Sequence, residues 1–138
     1  MGKTEYLLAL DVGEKRIGVA QADSQVRIAV PLGAVLVDGQ ELTALHQHIK
    51  DTRADRLIVG YPRNQSGEPT MQTAFVEQFV ARLNPDVPVH YQDESLTSVL
   101  AKERLGGSIS RRQREKGVVD AEAAVIILED YLEQTYGH

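Results

Sequence analysis

Four acidic residues at three places in the chain have the type and the setting to do chemistry: Asp11, the adjacent Asp93 and Glu94, and Asp120. Asp11 closes the apolar run Leu7-Leu8-Ala9-Leu10 and precedes Val12-Gly13 and the charged turn Glu14-Lys15-Arg16. A strand this apolar is expected to be central and covered on both faces, and a carboxylate at its end is costly to bury without compensation. Asp93 and Glu94 directly follow a strand-like stretch, and Asp120 stands in the first turn of the last helical stretch. Each acid alone has an ordinary explanation. Asp close before glycine is common in turns. Asp93 could cap a helix, although Ser95 and Thr97 compete for that position. Asp120 would favour any helix N-terminus electrostatically.

The case for function rests on the constellation. If the strands that end at Asp11 and at Asp93-Glu94 run parallel, their carboxyl ends share one sheet edge, where open α/β sheets bind ligands. The first turn of the last helix can bring Asp120 to the same edge. Three converging carboxylates without a cation would repel and raise one another's pKa values. Oxygen-only ligation suits Mg²⁺ or Mn²⁺ rather than Zn²⁺. Two such ions about 4 Å apart can activate water and stabilise the leaving oxygen in phosphodiester cleavage.

Cations lie near these acids in sequence. Lys15 and Arg16 form a charged turn beside Asp11, where a phosphate contact competes with plain solvation. Arg111-Arg112-Gln113-Arg114-Glu115-Lys116 is the one dense basic run in a chain of net charge -5. Such a run is ordinarily a solvated loop, but just before Asp120 it could guide a polyanion to the carboxylates. Asn64, Gln65 and Ser66 could line the same edge, with turn chemistry the commoner reason for them. His46 and His48 do not share a helix face, His90 lies within a strand and His138 ends the chain. None has a ligand-spaced partner, so the histidines receive no role.

The elements that must position these residues follow from periodicity. Tyr6–Val12 and Ile17–Ala22 read as a hairpin, and Val26–Val30 with Ala34–Val37 as a third strand bent near Pro31-Leu32-Gly33. Leu42, Leu45 and Ile49 predict a helix over 40–53, followed by a short strand at Arg56–Gly60. A polar loop at Arg63–Pro69 leads to a helix from Thr70 to Leu83, with Ala74, Phe75, Phe79 and Val80 on one face. Val87–Gln92 reads as a strand, Ser98–Leu105 as a helix, Gly106–Gly117 as a polar basic loop and Val118–Gln134 as the last helix. A β-meander followed by strand–helix–strand units predicts an α/β fold: a mixed five-stranded sheet, antiparallel then parallel, with helices on both faces.

The 138 residues suit one domain, 1–138, with a sizeable core. No cysteine is present, which excludes disulfides and thiolate zinc sites. No apolar run reaches membrane-spanning length, and Met1–Tyr6 does not read as a signal peptide. The expectation is a cytoplasmic protein with no membrane partner.

The motifs Asp11-Val12-Gly13-Glu14-Lys15-Arg16-Ile17-Gly18-Val19-Ala20, Val59-Gly60-Tyr61-Pro62-Arg63-Asn64 with Gly67, Asp93-Glu94, and Lys116-Gly117-Val118-Val119-Asp120 with Ala123-Ala124 and Ile127-Leu128 span nearly the whole chain. On these, the chain resembles the YqgF-type proteins, described as Holliday junction resolvases and as pre-16S ribosomal RNA nucleases. The resemblance implies a ribonuclease H-like fold and metal-dependent nuclease chemistry. It carries catalytic roles onto Asp11, Glu94 and Asp120, with Asp93 adjoining as a further metal ligand. Two positions depart from the family pattern: Tyr61 replaces the usual Leu, and Ser95 replaces the usual Arg, which removes a cation beside the acids.

The expected activity is therefore a Mg²⁺- or Mn²⁺-dependent endonuclease holding two ions. Its nucleic-acid contacts would be Lys15, Arg16, Asn64, Arg111, Arg112, Arg114 and Lys116. The substrate would be an rRNA precursor, with ribosomal particles as partners, or branched DNA, for which symmetric cutting predicts a homodimer. The alternative is a non-catalytic nucleic-acid or ribosome-binding module. An actin-like phosphotransferase fits less well, since it needs a second such domain.

Overall fold

The computed structural model describes residues 3–62, 68, 70–94, 103–105 and 117–137. Five strands form one sheet: β1 (Tyr6–Val12), β2 (Arg16–Asp23), β3 (Val30–Leu36), β4 (Arg56–Pro62) and β5 (Val89–Glu94), in the order β3-β2-β1-β4-β5. Among the described residues the helices with full bounds are α1 (Glu41–Thr52), α2 (Met71–Leu83) and α3 (Val118–Tyr136). β1 pairs antiparallel with β2, and β2 with β3, whereas β1–β4 and β4–β5 are parallel. The predicted mixed sheet is therefore present, with the two halves meeting at β1.

β1 takes the centre because its residues are apolar on both faces. Leu8, Leu10 and Val12 pack with Ile17, Val19, Leu57 and Val59 under α1 and α2, where Leu45, Val76, Phe79 and Leu83 are buried. Leu7 and Ala9 face the other way, with Ala20 and Ile58, against Ala124, Ile127, Leu128 and Tyr131 of α3. Each fully buried Leu or Ile contributes about 1.5–3 kcal/mol, so these two layers fix which way each β1 side chain points.

Several boundaries differ from the sequence expectation. Val26–Ala29 is not strand: Asp23 Oδ1 accepts from the N–H groups of Gln25 and Val26 at 2.8 and 2.7 Å, which turns the chain before it can pair. β3 starts at Val30, and the bend expected near Pro31 is a register shift in which Leu32 lies between the Ala20–Pro31 and Val19–Gly33 pairs. Ala74 is exposed; the buried face of α2 is Thr73, Val76, Phe79, Val80 and Leu83. The Thr73 hydroxyl donates to the Pro62 carbonyl, and Thr70 and Thr73 form a capping box, so the start of α2 is tied to the end of β4. β5 begins two residues late and runs through Asp93 and Glu94, because parallel pairing with β4 continues to Pro62–Glu94. Of the helix expected at 98–105, Glu103, Arg104 and the turn residue Leu105 are the described part.

Candidate active site

Asp11 alternates with Leu7 and Ala9 and so faces α3. Its partner across the antiparallel ladder is Gly18 of β2. A Cβ on Gly18 would stand 1.8 Å from the Asp120 carbonyl oxygen and 3.0 Å from the Ala121 nitrogen. The missing side chain lets the first turn of α3 rest on the backbone of β2, which brings Asp120 to the carboxyl end of β1.

β5 supplies the third acid by the same logic. The His90 ring packs against Tyr131 of α3 at 4.9 Å, and Gln92, on the same side, is buried. Glu94 continues that face. Its carboxylate lies over Gly60 of β4, where a Cβ would meet Oε2 at 2.8 Å and Ile127 Cδ1 at 2.6 Å. Asp93 alternates to the opposite face with Tyr91, whose ring meets Tyr61 at 4.9 Å, and it is exposed. The sequence expectation had grouped Asp93 with the metal ligands. Strand pleating separates it from Asp11 and Asp120, and Glu94 alone of the pair turns toward them.

The electrostatics record this convergence. Burial, and then the charge of Asp120, push the Asp11 carboxyl up from 3.8 to about 7. Burial, and then the charge of Asp11, push Glu94 up from 4.5 to about 8. The acids thus repel in sequence, Asp120 on Asp11 and Asp11 on Glu94. Asp120 Oδ2 accepts a hydrogen bond from Arg16 Nε at 2.9 Å. Among the described residues no group of three or more His, Cys, Asp or Glu side chains is gathered closely enough to hold an ion. In chemistry the donor set fits a hard divalent cation: every donor is a carboxylate oxygen, and a positive charge would offset both the burial and the mutual repulsion that raise Asp11 and Glu94.

Lys15 is exposed in the β1–β2 turn, whereas Arg16 is half-buried and engaged by Asp120. Asn64, Ser95, Arg111, Arg112, Arg114 and Lys116 lie outside the described residues. No role was expected of the histidines. His46 nonetheless has a structural contact that the sequence did not suggest, its ring bonded to the Leu83 carbonyl at 2.8 Å between α1 and the end of α2. The residues missed by sequence reasoning are Gly18 and Gly60. The signal for them was a glycine inside an otherwise apolar strand, which marks close approach of another backbone or group.

A family model described as "RuvX: Holliday junction resolvase" matches residues 5–134. Several relatives are named "Putative pre-16S rRNA nuclease". One from Parabacteroides distasonis is 37% identical over 132 residues, covering 92% of this chain and 94% of the relative. One from Chloroflexus aurantiacus is 37% identical over 133 residues, covering 94% and 87%. One from Synechocystis is 33% identical over 142 residues, covering 100% and 93%. Among solved structures, Thermus thermophilus RuvC in complex with a Holliday junction substrate superposes with a TM-score of 0.53 at 15% identity, covering 96% of each chain. That last likeness is one of fold, and the architecture is ribonuclease H-like.

Proposed function

The chain belongs to the RuvX family of Holliday junction resolvases, and from that premise we propose that it is a divalent-metal-dependent endonuclease acting on structured nucleic acid. The relatives' names favour the precursor of 16S rRNA as substrate. The family description favours a four-way DNA junction. The observation that carries the nuclease reading is the convergence of Asp11, Glu94 and Asp120 from β1, β5 and α3 over two side-chain-free positions, Gly18 and Gly60.

In this mechanism Asp11, Glu94 and Asp120 would hold Mg²⁺ or Mn²⁺. When bound, such ions supply Lewis-acid charge to the attacking and leaving oxygens of a phosphodiester. The protein's own part is to present three carboxylates on an edge that a phosphate backbone can reach. Burial and neighbouring charge push Asp11 up to about 7 and Glu94 up to about 8, so a cation held there would compete with protons and its binding is expected to strengthen with pH. Asp120 is positioned by its backbone against Gly18, and in the free protein its carboxylate accepts a hydrogen bond from Arg16. Lys15 at the adjacent turn, with the basic run at 111–116, would hold phosphates on either side of the cut. Asp93 has no part in this scheme.

The test is a cleavage assay on a four-way DNA junction and on a structured precursor-rRNA fragment, each with Mn²⁺, Mg²⁺ or chelator, with Asp11→Asn as control. Metal-dependent paired nicks in the junction, lost in the mutant, would identify a resolvase and predict a two-fold dimer. Cutting confined to the RNA would identify a processing nuclease. No mutant-sensitive cutting of either would favour a non-catalytic binding module.

A further inference from the structure

We propose that Arg16 is the resident cation of this site: it holds Asp120 in the free protein and leaves it for a substrate phosphate when nucleic acid and divalent ion bind. The inference rests on reading Asp11, Glu94 and Asp120 as the ion-binding set. Arg16 opens β2, directly before the fully buried Ile17, so its backbone is fixed while its side chain reaches along the sheet edge to α3. The Nε–Oδ2 bond to Asp120 is 2.9 Å long, and the two side chains remain 30% and 26% exposed. The pair therefore sits at the rim, where a phosphate can approach it, and not beneath the sheet.

A guanidinium keeps its charge at any working pH. In the free protein the Asp120 carboxylate is thus already compensated, and an incoming divalent ion meets a positive charge at bonding distance from one of its ligands. Among the described residues the Arg16 side chain is bonded to Asp120 through Nε alone. A planar fork of five N–H groups retains donors for a second anion, and arginine pairs well with phosphate. A phosphodiester beside Asp11 can draw the guanidinium away and leave Asp120 to the ion. The coupling is reciprocal: nucleic acid tightens the ion, and the ion tightens nucleic acid by the same factor. The ion would then be held firmly when substrate is present and weakly when it is not.

The test is calorimetric titration of Mn²⁺ into the wild-type chain, two charge-removing variants (Arg16→Gln and Arg16→Met) and the charge-keeping Arg16→Lys. Each is measured alone and with a nuclease-resistant, phosphorothioate-linked four-way DNA junction, and urea midpoints report folding. The proposal expects the charge-removing variants to bind Mn²⁺ roughly tenfold more tightly than wild type without nucleic acid. Arg16→Lys should stay within about twofold of wild type, since the charge is what opposes the ion. The junction should tighten Mn²⁺ binding in wild type and do so much less in Arg16→Gln. Unchanged or weaker Mn²⁺ binding in both charge-removing variants overturns the proposal, as does their failure to fold, which would make the pair structural. No gain from the junction in wild type overturns the exchange. If Asp11→Asn binds Mn²⁺ as wild type does, the ion-binding set itself is wrong, a separate failure.

Discussion

The carbonyl oxygen of Asp120 lies 1.8 Å from where a Cβ on Gly18 would stand, so the first turn of α3 rests on bare backbone of β2. Asp11 is paired with Gly18 in the ladder. One glycine therefore sets the distance between two acids that are 109 residues apart in sequence.

Gly18→Ala is expected to destabilise the chain by about 1–3 kcal/mol, because the atom it meets is backbone and cannot rotate aside. Cleavage should be lost as well, since Asp120 is carried off with α3. Gly60→Ala meets the ends of two side chains, Ile127 and Glu94. Its stability cost should be nearer about 1 kcal/mol, while the displaced Glu94 carboxylate still removes activity. Denaturant unfolding and cleavage rates of the two variants check both statements; a Gly18→Ala protein with wild-type stability would contradict the close approach of the two backbones.

In chelator, stability should fall as pH rises through the neutral range. Asp11 and Glu94 have folded pKa values raised to about 7 and about 8 from 3.8 and 4.5. What they contribute is fully present below 3.8 and 4.5 and is lost as the pH passes about 7 and about 8. Asp11→Asn removes one of these groups and relieves the other, since the Asp11 charge is the second cause of the Glu94 shift. With allowance for partial solvent access, the variant should be more stable than wild type by about 1–2 kcal/mol at pH 8 without metal. Equal urea midpoints for the two proteins at pH 8 would argue against the burial of these carboxyls.

Glu94→Gln should abolish Mn²⁺-dependent cleavage, whereas Asp93→Asn should retain it within a few-fold. The two positions are adjacent, yet the pleat sends them to opposite faces. Parallel activity measurements on the two variants decide the matter, and equal losses would place both acids in the site.

Neutralising Arg111, Arg112 and Arg114 together is expected to weaken nucleic-acid binding and flatten its dependence on salt, by roughly one unit of slope for each phosphate that is no longer neutralised. Filter-binding or anisotropy titrations across a salt series measure that slope. If it is unchanged, the basic run does not meet the backbone.

Much of this protein is legible in its sequence. The apolarity of Leu7–Leu10 on both faces determined that β1 is central, and the alternation of strands and helices determined a mixed sheet. Asp11, the pair Asp93-Glu94 and Asp120 stood out as candidates from their places at the ends of elements, with Glu94 marked within the pair only by the family resemblance. These features are local: each follows from side-chain polarity within a few residues. Tertiary structure decided what depends on contacts between distant segments. Whether Asp93 or Glu94 faces α3 depended on the register of β5 against β4, since a shift of one residue reverses every side chain. The roles of Gly18 and Gly60 appeared once α3 and Glu94 were packed upon them. The Arg16–Asp120 pair joins the start of β2 to the start of α3, and no spacing in the sequence could have matched that cation to that acid.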